Sequence, residues 1–424
     1  MQFDSYWLAT APAFSGARQT PPEGRYDVVV VGGGFTGLSA ARTLARSGAR
    51  VALIEAGRVI GEASGRNGGQ CNTGVAQDYA SLVEQLGRER AQSHYRHYAE
   101  AVASVRQVIA EERIECDYRH HGKLKLAAKP EHYAKLARSA EAIARDVAPE
   151  VELIPRDMIR HEVDSPLFHG GLLQKNGGQM HMGRFGIGLA EAAVAHGAQL
   201  FEHTPMRGVA RQAGGYRVTT PAGTLQADNV LLATGASRQG PLGWFRRRLA
   251  PVGSFIVVTA PLSEAQCRAL LPQRRAYVTS RIVGHYFRLT PDNRLLFGGR
   301  ARFAMSGGKS DTKSGEILRR GLGHAFPSLA GIDIDYCWGG LVDMSRDRLP
   351  HAGRHDGMYY VMGYSGHGVQ MSVHMGQRLA EAMLGQRHAY PWQERHWPAI
   401  PGHFGKPWFL PLVGGWYRLQ DRWH

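Results

Sequence analysis

The chain has 424 residues, 43% hydrophobic and 21% charged, enough to bury a core in two or three domains and unlike a disordered chain. No apolar run approaches the ~18 residues of a membrane span, no fixed-period repeat marks a solenoid, and MQFDSYWLATAP lacks the pattern of a secretory leader, so a cytoplasmic protein is expected. The 51 Lys and Arg against 36 Asp and Glu leave +15, but in short clusters such as Arg246-Arg247-Arg248, which disfavours nucleic acid as a partner and fits an anionic cofactor.

In chain order, the first strong signal lies at residues 26–56. Val28 to Val31 is a β-branched run of the kind found in a parallel strand covered on both faces. It enters Gly32-Gly33-Gly34-Phe35-Thr36-Gly37, a GxGxxG. Gly32 permits the tight turn, Gly34 lets the backbone approach a pyrophosphate, and Gly37 lets the next helix lie close to the strand. That helix is predicted over Leu38 to Ser47 with Gly48 as its stop, its N-terminal amides facing the phosphates. A second strand, Val51 to Ile54, ends at Glu55, whose carboxylate matches ribose hydroxyls. Strand, loop, helix, strand and acid in this order predict a bound dinucleotide. No second fingerprint follows, which argues against a reductase with two nucleotide domains.

The stretch GRVIGEASGRNGGQ (57–70), taken alone, is either a surface loop or a backbone cradle for a diphosphate or flavin. Cys71, Cys116, Cys267 and Cys337 form no CxxC pair, which argues against a disulfide framework, a zinc site or a dithiol centre. The adjacent His120 and His121 point opposite ways on a strand, and no metal site is expected. Gly186 to His196 reads as a helix and Ala198 to His203 as a strand. Tyr216 to Thr220, Thr224 to Ala227 and Val230 to Ala233 read as an antiparallel meander that rejoins the parallel sheet at Ala233-Thr234-Gly235. On the strand HYFRLT (285–290), Tyr286 and Arg288 share one face, directed to a cavity or to the surface. Tyr359 to Met362 is a strand, Gly363 to Gly368 a turn, and Met371 to Leu384 a helix stopped by Gly385. The tail from Gln386 carries Trp392, Trp397, Trp408, Trp416 and Trp423. Its aromatics beside cations match a wrap over the dinucleotide domain, a membrane surface or an oligomer contact.

These segments resemble the D-amino-acid oxidase superfamily of FAD enzymes. The resemblance rests on SYWLATA (5–11), ASGRNGGQ (63–70), IECDYRHHGKL (114–124), GGQMHMGRFGIGLAEAAVAHGAQLFEHTPM (177–206) and LLATGAS (231–237). It continues through PVGSFIVVTAPL (251–262), YFRLTPDNRLLFGGR (286–300), WGGLVDMSRDRLPHAG (338–353) and MGYSGHGVQMSVHMGQRLAEAM (362–383), and looks narrowest to the γ-glutamylputrescine oxidase branch. It implies an α/β fold: a Rossmann-type FAD-binding domain (20–115, 180–245 and 336–385) and a discontinuous α+β substrate domain (116–179 and 246–335) whose mixed sheet covers the flavin. An N-terminal extension (1–19) and an aromatic tail (386–424) complete the chain. It further implies that FAD is held by Gly32, Gly34, Phe35, Thr36, Gly37 and Glu55, and by Ala63, Ser64, Arg66, Asn67, Gly68, Gly69 and Gln70. Val209 would meet the adenine, with Thr234, Gly235 and Gly339 further along. Gly366, His367, Gly368, Val369 and Gln370 would mark the pyrimidine end, where a helix dipole stabilises the reduced anionic flavin.

The implied reaction is amine oxidation: hydride passes from the carbon beside nitrogen to flavin N5, the imine is hydrolysed, and O2 or another acceptor takes the electrons. His367, inside GYSGHG, is the leading candidate beside the flavin; Tyr286, Arg288 and Tyr364 are further catalytic candidates. Two departures from the sarcosine-oxidase branch stand out. The lysine that clamps a substrate carboxylate there is Gln370 here. Gly339 and Gly340 occupy the neighbourhood of its FAD-linking cysteine, with Cys337 slightly upstream. Non-covalent FAD is therefore expected, and a small N-methylamino acid is disfavoured against a polyamine-derived amine such as γ-glutamylputrescine. The alternatives are a sarcosine-, glycine- or D-amino-acid-like substrate on the same scaffold, or a flavoprotein serving an RNA partner, which only the net charge supports.

Overall fold

A computed structural model shows two eight-stranded sheets and a two-stranded ribbon. It describes every residue except 148–149, 238, 304, 307, 387–390, 393–395 and 424, and every side chain but those and 308–310 and 422.

The first sheet runs in the order His351–His355, Met358–Met362, Thr224–Leu232, Gly24–Val31, Val51–Ile54, Gln199–Phe201. All of these neighbours are parallel except the first pair. Val29, Val30 and Leu53 are fully buried, as a strand covered on both faces requires. The expected meander takes a different form. Thr224–Leu232 is one continuous strand rather than two. Its Asp228-Asn229 pair, which reads as turn chemistry, stays in the ladder because Asn229 faces Val28 and Asp228 pairs with Arg25. The same strand takes Gly215–Thr219 antiparallel, and Gly208–Gln212, not predicted as a strand, extends that hairpin.

Three helices begin earlier than their sequences suggest: at Phe35 rather than Leu38, at Met182 rather than Gly186, and at Gly368 rather than Met371. Glycines in and near their first turns have weak helix propensity, and close packing overrides it. A Cβ on Gly183 would lie 2.0 Å from the Trp7 carbonyl oxygen. On Gly376 it would lie 2.4 Å from that of Thr36, so Phe35–Arg46 and Gly368–Met383 cross in backbone contact.

The second sheet has the order Ile334–Met344, Ala250–Thr259, Leu295–Gly299, His285–Leu289, Ala276–Thr279, Lys123–Leu126, Gly171–Gln174, Val151–Ile154. It is mixed, because Ala276–Thr279 and Lys123–Leu126 run parallel while its other pairs are antiparallel. Ile334–Met344, expected mostly within the third FAD-domain segment, pairs along its length with Ala250–Thr259 and so lies in this sheet. Side chains alternate across a strand, and the register divides the sheet into two unlike faces. Leu124, Tyr277, Phe287, Phe297, Phe255 and Cys337 form a buried core with Cys267, Leu318 and Leu322 of the covering helices Glu264–Leu270 and Gly308–Ala325. The other face carries Lys123, Lys125, Tyr286, Arg288 and Ser254. Its apolar members Ile256, Val258, Leu296 and Trp338 join the core of the first sheet's domain, so this is the face that closes over the dinucleotide unit.

Candidate active site

The phosphate loop is shaped by what its glycines exclude. Gly32 adopts φ 114°, and a Cβ there would lie 2.5 Å from the Ala233 carbonyl oxygen. On Gly37 a Cβ would fall 1.9 Å from the Gly32 carbonyl oxygen, so no side chain fits where helix meets strand. The first helical amides open onto this loop. The Phe35 N–H donates to Ser64 Oγ at 3.0 Å, and a Cβ on Gly34 would approach that hydroxyl to 2.9 Å. Glu55 accepts from the N–H groups of Gly33 at 2.7 Å and Gly57 at 2.8 Å. A carboxylate has about four lone-pair sites, so these bonds fix its orientation and leave capacity for ribose hydroxyls. Burial raises the Glu55 pKa above its ordinary value. Val209 is half-buried on Gly208–Gln212, opposite Val218.

The loop at 63–70 is held from three sides. Trp7 Nε1 donates to the Asn67 carbonyl at 2.6 Å and Ser5 Oγ to that of Gly65 at 2.6 Å, which is the work of the buried N-terminal segment. Trp338 Nε1 donates to the Arg66 carbonyl at 3.0 Å, and Arg66 Nε to that of Gly339 at 2.6 Å. Asn67 closes the turn, accepting from the Gly69 N–H at 2.8 Å and donating to the Ser64 carbonyl at 2.7 Å; a weaker 3.2 Å bond reaches Ala63. Gln70 Nε2 reaches the Tyr277 carbonyl at 3.3 Å. From the second sheet, Arg288 donates to the carbonyls of Gly69 at 2.5 Å and Met180 at 2.8 Å. Its guanidinium carbon stands 5.3 Å from the Trp7 ring centroid, and burial pushes its pKa down to about 9.

Of the four catalytic candidates, two are thus committed to holding the frame. Arg288 is one. Tyr364 is the other: buried, it hydrogen-bonds Thr36 at 2.7 Å and ties the second helix start to the first. Gln370 is also buried, and its Nε2 donates to the Asn72 carbonyl at 2.6 Å. Tyr286 lies against Gly68, where a Cβ would meet its ring at 2.6 Å, and its hydroxyl bonds Ser254 Oγ at 3.1 Å. Burial raises the Tyr286 pKa to about 12. His367 caps Gly368–Met383, after Gly366 at φ 96° and before buried Val369. Its ring stands edge-on to Tyr98 at 5.8 Å. Burial first, then the Lys123, Arg300 and Lys125 cations, push its pKa down to about 3, so the imidazole is neutral near pH 7.

Several members of this site carry no sequence signal of their own. Lys123 and Lys125 share the inner face of a KLKL strand whose alternation reads equally well as a solvent face. Lys123 donates to the Thr73 carbonyl at 2.8 Å, and burial lowers its pKa to about 7; burial also lowers that of Lys125. Burial and the Arg348 cation lower the pKa of Arg300. Asp343 accepts from the Gly363 N–H at 2.7 Å and lies 3.9 Å from where a Gly235 Cβ would stand. Burial pushes the Asp343 pKa up to about 6.

Two helix starts and a glycine-walled loop, closed by a mixed sheet with a cationic inner face, define a dinucleotide-binding protein. The chain belongs to the FAD dependent oxidoreductase (DAO) family, whose model matches residues 27–382. It is 32% identical over 422 residues to gamma-glutamylputrescine oxidoreductase of Escherichia coli, covering 99% of this chain and 98% of that protein. To the "probable oxidoreductase OrdL" of Haemophilus influenzae it is 32% identical over 365 residues, covering 85% and 83%. Glycine oxidase from Geobacillus kaustophilus shares the fold with a TM-score of 0.74 at 23% identity, over 88% of this chain and 99% of that one. FAD is therefore the dinucleotide, and the residues present fit it. Besides the glycine walls, Thr234 Oγ1 and His367 Nδ1 are buried without a hydrogen-bond partner among the described residues, as groups that face a polar ligand would be.

Proposed function

We propose that this enzyme oxidises the C–N bond of a primary or secondary amine of the γ-glutamylputrescine type, giving an imine that water hydrolyses to an aldehyde or oxo product. When bound, FAD supplies the two-electron acceptor for the hydride. Gly32, Gly34, Phe35, Thr36 and Gly37 would hold its pyrophosphate and Glu55 its adenosine ribose. The 63–70 loop and residues 366–370 would hold the ring end. The observation that carries this reading is the inner face of the second sheet, which turns Lys123, Lys125 and Tyr286 toward the dinucleotide domain. A positive field lowers the pKa of a bound amine and so favours the uncharged form, whose lone pair must assist hydride departure. The same field would complement the negative charge that bound FAD takes up on reduction, and it complements a substrate that carries a carboxylate elsewhere. Arg288 and Tyr364 act here as positioning residues, while Tyr286 and His367 border the reacting face.

FAD is held without a covalent link in this reading. Cys337 is buried on the far face of the second sheet and donates to the Asp311 carbonyl at 3.4 Å. The enzyme acts in the cytoplasm with O2 or another acceptor. Anaerobic titration of the holoenzyme with γ-glutamylputrescine, putrescine, sarcosine, glycine and D-amino acids tests the proposal. Bleaching of the ~450 nm flavin band by γ-glutamylputrescine ahead of the others supports it, and readmitted air then separates oxidase from dehydrogenase. Bleaching by glycine or D-amino acids alone would replace it with the amino-acid oxidase reading.

A further inference from the structure

We propose that the C-terminal helix Leu410–Trp423 docks this protein on the surface of an anionic phospholipid bilayer. The helix has two unlike sides. Its inner side is fixed to the second sheet's domain: Leu410 is buried in a small core with Ala250, Val252 and Phe303, and Tyr417 packs on Phe303 at 5.7 Å and accepts from Arg348 at 3.1 Å. Asp421 accepts from the N–H groups of Ile282 and Val283, both at 2.8 Å. Its outer side is a stripe of large apolar residues at steps of four, three and four, the spacing of one helical face. Leu412 is 69% exposed, Trp416 55%, Leu419 37% and Trp423 70%, and Trp408 just before the helix is 62% exposed. Soluble proteins seldom leave such a patch uncovered.

Charge decides what covers it. Among residues 400–424 the Lys, Arg, Asp and Glu positions are Lys406, Arg418, Asp421 and Arg422. The single acid is turned inward onto backbone amides, whereas Lys406 and Arg418 are exposed. The adjoining loop adds exposed Arg281 and Ile282. A cationic rim around a Trp- and Leu-rich stripe matches an interfacial helix, whose aromatic rings enter the headgroup boundary while Lys and Arg meet anionic lipid. A second copy fits less well, since each chain carries +15 and the rims would repel. No helix among the described residues is long and apolar enough to cross a membrane, so the contact lies in the plane of the surface.

Co-sedimentation of the full-length holoenzyme tests this, with vesicles of phosphatidylcholine alone or with about 30% phosphatidylglycerol. The protein should pellet with the anionic vesicles, with a blue-shifted tryptophan emission, and release as salt rises from ~0.1 to ~0.5 M. The double variant Leu412→Glu/Trp416→Glu should partition at least ~10-fold less while its flavin absorbance and turnover stay unchanged. The proposal is overturned if anionic vesicles pellet no protein or no more than neutral ones do. It is equally overturned if the double variant still pellets, or if light scattering shows a dimer that the variant converts to a monomer, which would assign the face to a second copy.

Discussion

At the dinucleotide end the site is made of backbone, whereas at the substrate end it is made of side chains. Around Gly32 to Gly37 the cradle consists of amides, a helix start and spaces that a Cβ would fill, so its chemistry is the same for any side chain the loop could tolerate. Opposite it, the inner face of the second sheet presents Lys123, Lys125 and Tyr286 as side chains, and burial lowers the pKa of both lysines. In the proposed reading, one end fixes which cofactor binds, and the other sets what that cofactor does. The difference predicts different failures when each end is damaged.

The largest effect is expected at the backbone end. Gly37→Val places atoms inside the Gly32 carbonyl, an overpacking of about 3 kcal/mol. The soluble protein should lose most of its FAD, read as the flavin-to-protein absorbance ratio; full loading would break the account of the cradle. Next is Lys123→Met/Lys125→Met, which should keep FAD. Removing the cations raises the pKa of the bound amine by about one unit, so at neutral pH turnover falls on the order of tenfold and the acidic limb of the kcat profile moves to higher pH. An unmoved limb would remove the lysines from the reacting face. Arg288→Lys tests the frame between the two ends. It cannot reproduce the paired bonds to the Gly69 and Met180 carbonyls, and a loss of about 2 kcal/mol in denaturant unfolding is expected, with kcat changing less than stability.

The smallest effect concerns Asp343, whose folded pKa of about 6 lies above its ordinary value. The folded state then binds the proton more tightly than the unfolded chain does. Its contribution favours folding at low pH and is lost as pH rises from about 4 through about 6. In FAD-free protein, the Tm of Asp343→Asn should therefore rise relative to wild type across that window. A Tm difference that is flat with pH would show that the carboxyl is not held protonated.

The same contrast explains what was legible in the sequence. Val51–Ile54 emerges with the predicted bounds, because a short apolar run between the Gly48 helix stop and the Glu55 acid admits few other structures. The three helix starts are misplaced by three or four residues because each first turn carries a glycine (Gly37, Gly183 and Gly368) that reads as loop. Packing on a facing backbone, not propensity, makes them helical. Thr224–Leu232 is split by its Asp228-Asn229 because the neighbour that holds them in register lies 203 positions away for the Arg25–Asp228 pair. Tyr286 and Arg288 do share a face, as period two requires, but only the fold shows that Arg288 is spent on the carbonyls of the 63–70 loop. Lys123 and Lys125 are invisible for a related reason. An alternating KLKL strand looks half-solvated, and what turns its polar side inward is the dinucleotide domain packed over it. The tail divides likewise: Trp392 and Trp397 are buried, while Trp408, Trp416 and Trp423 face outward.

The most direct test is a redox titration of the bound FAD in wild type and in Lys123→Met/Lys125→Met. If the inner sheet face supplies the field over the flavin, the two-electron midpoint of the variant should fall by about 30 mV or more, equivalent to about 1.4 kcal/mol. An unchanged midpoint in fully loaded variant protein would contradict the claim that this face sets the chemistry of the site.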